Sequence, residues 1–104
     1  MIGIGKWQIT LNTNILSRTA VVEIKDCDGN YDVSVISPGF TVPPYKLLKV
    51  ETVDENTLVG HFEITDLLAK YVTVRAIFTE DTISGFIKIP LIGRLEFTDG
   101  KKIG

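Results

Sequence analysis

From Gly5 onward the chain repeats one rhythm, an apolar residue at every second position followed by a short cluster of turn formers. Val, Ile, Thr, Phe and Tyr carry the alternation, and the 3.6-residue spacing of an amphipathic helix is almost absent. The rhythm predicts eight strands, near residues 5–13, 17–26, 30–37, 45–53, 57–65, 70–79, 82–90 and 94–99. Neighbours along a strand point to opposite faces, so each segment has an inner and an outer row. The inner rows read Trp7, Ile9, Leu11; Ala20, Val22, Ile24; Tyr31, Val33, Val35; Leu58, Phe62, Ile64; Val72, Val74, Ala76, Phe78; Ile83, Ile87, Ile89; and Leu95, Phe97. That face is almost wholly hydrocarbon.

The fourth strand fits less simply. One parity buries Tyr45, Leu47 and Val53 together with Lys49 and Glu51; the other buries Leu48 and Val50 with Thr52 deep and Lys46 near the end. Burying two charges costs more than burying one hydroxyl, which favours the second. A bulge at Leu47-Leu48 would mix the two.

An internal repeat supports this strand reading. Glu55-Asn56-Thr57-Leu58-Val59-Gly60-His61-Phe62-Glu63-Ile64 matches Glu80-Asp81-Thr82-Ile83-Ser84-Gly85-Phe86-Ile87-Lys88-Ile89. Asp28-Gly29-Asn30-Tyr31-Asp32-Val33 is a looser copy. Each copy is a polar turn followed by a strand running into the core. Repeated hairpins of this kind predict an all-β fold, an eight-stranded antiparallel up-and-down barrel that closes on itself and removes its edges. Gly60 and Gly85 fall on the inner parity, where they either let the strand coil or leave room inside.

The turns are of two kinds, and in an up-and-down sheet every second turn lies at the same end. One set is acidic: Asp26-Cys27-Asp28-Gly29-Asn30, Asp54-Glu55-Asn56, Glu80-Asp81 and Asp99-Gly100. The other carries apolar side chains: Ile15 and Leu16, Phe40 and Val42, Leu67 and Leu68, Leu91 and Ile92. Turns are ordinarily polar because they face water. The apolar set is therefore the candidate ligand-binding rim, with Tyr45 and Lys46 just beyond the stiff Pro43-Pro44 pair. Lys46 is placed to meet the carboxylate of an amphipathic ligand. The alternatives are that these side chains fold inward and plug the barrel, or that they form a rim facing another protein or a membrane.

Composition narrows the classes. At 104 residues and 44% apolar, residues 1–104 read as one globular domain with a single core. A net charge of −2 with scattered basic residues excludes the positive patch that nucleic acid requires. A single cysteine rules out an internal disulfide and fits a reducing compartment. No long apolar segment follows Met1, and no stretch reaches the length of a spanning helix, so the expected location is cytoplasmic.

The usual catalytic constellations are missing. His61 is the only histidine and lies on the outer parity. Cys27 sits between Asp26 and Asp28, whose charges disfavour a thiolate. The carboxylates fall in turns or on outer rows, Glu51 excepted if the fourth strand takes its other parity. No metal and no cofactor is expected. Six apolar residues face outward, namely Val21, Ile36, Val59, Tyr71, Ile77 and Phe86. One contiguous patch of them would mark a homodimer, which the sequence leaves open.

Gly5-Lys6-Trp7 opens the first strand with the only tryptophan. A G-x-W triplet there resembles the calycins: lipocalins, fatty-acid-binding proteins and avidins. The repeated acidic-turn, Thr-Leu-x-Gly pattern at Asn56-Thr57-Leu58-Val59-Gly60 and Asp81-Thr82-Ile83-Ser84-Gly85 is similar to that of small bacterial lipocalin-like domains. The resemblance implies that Trp7 closes one barrel end under a basic residue of the last strand. Lys101 or Lys102 is better placed for that role than Arg94, which starts the last strand at the opposite end. It also implies a mouth at the other end, where the apolar turns lie. The expected function is a binding protein for a small hydrophobic molecule, lipid-like or natural-product-like. The alternatives are an isomerase or cyclase acting on an apolar substrate in the barrel, with Glu51 or Tyr45 in the cavity, and a structural or oligomerising module with a filled barrel.

Overall fold

The computed structural model describes residues 1–12, 17–37, 44–64, 71–90 and 93–104. Its strands are β1 (Gly5–Asn12), β2 (Ser17–Cys27), β3 (Asn30–Ile36), β4 (Tyr45–Asp54), β5 (Thr57–Ile64), β6 (Tyr71–Phe78), β7 (Thr82–Ile89) and β8 (Gly93–Lys102). They form one antiparallel eight-stranded sheet in the order β3-β2-β1-β8-β7-β6-β5-β4. The expected up-and-down barrel is thus present, and it is nearly closed. β1 pairs with β8 through Trp7 opposite Lys102 and Gln8 opposite Lys101. The pairing continues past β8, where the Lys6 amide donates to the Gly104 carbonyl and the Ile103 amide to that of Lys6. β3 and β4 remain the two edges of the sheet.

Alternation sets the core as the sequence implies. Trp7, Ile9, Ala20, Ile24, Leu58, Ala76, Phe78, Ile83 and Phe97 are buried in one cluster. One inner row runs Leu58–Ala76–Gly85–Phe97 across four strands. Gly85 has φ +154°, and a Cβ there would overlap the Arg75 carbonyl oxygen. Its glycine therefore serves close strand approach. Gly60, its counterpart in the repeat, lines open space inside the barrel.

Two expectations change. β8 does not end in a turn at Asp99-Gly100 but runs on to Lys102. A register shift between Ile83 and Gly85 puts Gly100 opposite Ile83, and Gly100 is buried. In β4 the favoured parity holds for Val50 and fails for Leu48. Tyr45 and Leu47 pair with the inner residues Ile64 and Phe62, and Val50 pairs with Gly60. The register shift between Leu47 and Lys49 turns Leu48 outward. One bulged residue restores the apolar side chains on both sides to the interior and keeps Lys49 and Glu51 outside.

Candidate functional site

The inner rows line a partly open cavity of about 160 Å³. Its wall is built by all eight strands: Ile9 and Leu11 of β1, Ala20, Val22 and Ile24 of β2, Tyr31, Val33 and Val35 of β3, Val50 of β4, Leu58, Gly60 and Phe62 of β5, Val74, Ala76 and Phe78 of β6, Ile83 and Ile87 of β7, and Phe97 of β8. The wall is thus a property of the whole barrel. Small residues make the space. Ala20, Gly60 and Ala76 stand where larger side chains would fill it.

Tyr31 is the only polar side chain among these residues, and its hydroxyl donates to the Ile2 carbonyl at 2.8 Å. Burial raises its pKa above the usual phenol value, so the group stays neutral. Among the described residues the wall therefore offers dispersion and hydrophobic contact.

The tryptophan end is shut. The Trp7 indole N–H donates to the Gly3 carbonyl at 2.9 Å. Phe78 meets the Trp7 ring edge-on, with centroids 5.0 Å apart. Gly3, at φ +78°, lies so close to Phe78 that a Cβ would come within 2.8 Å of the ring. Lys102 Nζ stands 5.8 Å from the centre of the indole. The expected basic residue is therefore Lys102.

The β3–β4 seam is held differently. Among the described residues no strand ladder joins the two. The Tyr45 hydroxyl donates to the Val33 carbonyl at 2.9 Å and accepts the Val35 amide at 3.1 Å. The Tyr45 ring also meets Phe62 edge-on, 5.9 Å between centroids, and Phe62 lines the cavity. Towards the acidic turns the seam widens into a surface cleft of about 390 Å³, lined by Met1, Gly29, Asn30, Tyr31, Leu47, Leu48, Lys49 and Val50.

Of the ten expected rim residues, Ile15, Leu16, Phe40, Val42, Leu67, Leu68, Leu91 and Ile92 lie outside the described residues. Tyr45 and Lys46 are described, and neither lines the cavity. Lys46 is exposed on the outer face opposite Glu63. Glu51 is also outside, 3.0 Å from His61 Nε2 and 3.6 Å from Lys49 Nζ. It does not enter the barrel, as the enzyme alternative required. The role of Tyr45 had no signal in the sequence, because alternation does not say which two strands remain edges.

The outer apolar residues fall into separate groups. Val21 and Ile36 pair across β2 and β3. On the far side a row runs Glu51–Val59–Arg75–Phe86–Glu96, alternating charge with hydrocarbon. The Arg94 guanidinium covers Phe86 at 4.2 Å and binds Glu96 at 2.9 Å. Tyr71 pairs with Glu63. No helix among the described residues is long and apolar enough to cross a membrane.

No known protein family, curated protein or solved structure matches the chain.

Proposed function

We propose that the barrel is a binding protein for one small apolar molecule held in its interior. The observation that carries the reading is the cavity, about 160 Å³ of space with a wall of hydrocarbon and one tied-down phenol. An apolar cavity of about 150 Å³ stays dry and takes up benzene or xenon. This one is of that class. Leaving it empty forgoes on the order of 4 kcal/mol at about 24 cal/mol per Å³. A ligand that recovered all of it would bind with a Kd of roughly 1 mM.

The closed tryptophan end, capped by Lys102, supports a calycin-like reading of the barrel. It leaves access to the side wall or to the end where the chain carries Ile15, Leu16, Phe40, Val42, Leu67, Leu68, Leu91 and Ile92. A lipid-like or natural-product-like molecule with a compact apolar head suits such a site.

The test is a thermal-shift and native mass spectrometry screen with benzene, short fatty acids, terpenes and polyketides. Stabilisation that saturates with ligand, together with a retained adduct, supports the reading. No stabilisation by any apolar probe at millimolar concentration would sink it.

A further inference from the structure

Two hollows of this molecule share a wall. The interior cavity and the surface cleft at the seam are separate spaces, yet Tyr31 and Val50 line both. Tyr31 lies on β3 and Val50 on β4, one on each edge of the sheet. These two side chains therefore stand between the cleft and the hydrocarbon interior, on strands that no ladder joins among the described residues.

We infer that the β3–β4 seam is the entrance to the cavity, with Tyr31 and Val50 as its door and the Tyr45 hydroxyl as its latch; this rests on the binding function proposed above. Each part follows from the geometry. Through the side wall between the other neighbouring strands, passage would break a backbone ladder of several hydrogen bonds, and at β1–β8 two register pairs together with the Lys6–Gly104 and Ile103–Lys6 backbone bonds. At the seam, separation of β3 from β4 costs the described latch of two hydrogen bonds, at Val33 and Val35. Tyr31 swings only by giving up its bond to the Ile2 carbonyl, and the segment that holds it begins at Met1, itself 55% exposed in the cleft. The bulge at Leu48 breaks the regular pairing of β4 beside the door. The class of molecule admitted is a flat or slender hydrocarbon of about benzene size, because the space behind the door is about 160 Å³ with a hydrocarbon wall.

A door and a wall differ in kinetics. A door changes association and dissociation together and leaves Kd fixed, whereas a wall residue changes Kd. The experiment measures benzene exchange by methyl NMR line shape and Kd by titration, in wild type, Tyr45→Phe and Leu48→Trp. Leu48 is exposed at the cleft, so a larger side chain there covers the mouth without entering the core. Tyr45→Phe should speed exchange about tenfold, as expected for loss of a hydrogen-bonded latch, and Leu48→Trp should slow it, both at unchanged Kd. Benzene that binds wild type but exchanges at the same rate in both variants overturns the entrance and leaves the binding function standing. Variants whose Kd shifts in step with the rates overturn it too, since those residues then belong to the wall. A wild-type protein that takes up no benzene overturns the binding function itself.

Discussion

Tyr45 on β4 holds Val33 on β3 by a 2.9 Å hydrogen bond from its hydroxyl to the backbone carbonyl. The same oxygen accepts the Val35 amide, so one side chain satisfies two backbone groups of an edge strand. A sheet edge left bare invites pairing with another chain. Here a phenol from the opposite edge occupies it.

Removing that hydroxyl leaves the Val35 amide and the Val33 carbonyl without this partner. Tyr45→Phe should cost about 1–2 kcal/mol, while the ring keeps its contact with Phe62. A urea melt should show a lower midpoint with an unchanged slope. Hydrogen exchange should show protection lost at Val35 and kept at Val22, which lies inside the β1–β2–β3 ladder.

The repeat supplies a paired test at its two glycines. Gly85→Ala drives a Cβ into the Arg75 backbone oxygen, and backbone cannot step aside as a side chain can. The expected loss is about 3 kcal/mol or more. Gly60→Ala places its Cβ 2.9 Å from the Phe62 ring edge, and Phe62 borders open space into which it can turn. The expected cost is about 1 kcal/mol, with part of the cavity lost. Thermal unfolding of the two variants side by side checks the order, and a Gly60→Ala protein less stable than Gly85→Ala contradicts it.

That contrast shows how far a sequence of this kind can be read. Period two places Trp7, Ile9, Phe78 and Phe97 inside, because each strand's parity is decided by local hydrophobicity alone. The repeat places the turns at Asp54-Glu55-Asn56 and Glu80-Asp81, because those residue types favour turns locally. What each glycine does is not local. Gly85 meets the Arg75 backbone across a strand pair, and Gly60 faces the cavity, yet both stand three residues after the threonine of the same repeat. Leu48 escapes prediction for a related reason: a bulge changes parity within a strand, and period two assumes that parity is kept. The latch at Tyr45 depends on which strands stay unpaired, a property of the closed barrel.

Asp54 gives a pH dependence with a definite sign. The Asn56 amide donates to its carboxylate at 2.9 Å, and the Thr57 hydroxyl adds a second bond, so its pKa lies below the ordinary 3.8. A carboxyl whose folded pKa is depressed contributes stability above its unfolded value, and that contribution is lost as pH falls through the folded value. Asp54→Asn should therefore be less stable than wild type at neutral pH, and the gap should begin to narrow only once pH falls below the ordinary carboxylate range and go on narrowing as pH passes the lowered folded value. Urea midpoints measured between pH 7 and pH 2 check the trend; a gap that widens in acid would refute it.

Filling the cavity separates its two consequences, stability and binding. Ala20 lies on the wall opposite Ile9, 6% exposed. Ala20→Val adds two methyl groups where about 160 Å³ stands open, and a β-branched residue suits the strand. Each buried methylene-sized group is worth about 0.8 kcal/mol, partly offset by imperfect fit. The variant should unfold at equal or higher temperature than wild type while its benzene affinity falls several-fold. Affinity lost through damage would come with a lower melting temperature, whereas affinity lost through occupied space would not. A variant that melts higher and binds benzene as tightly as wild type would mean that the ligand sits elsewhere.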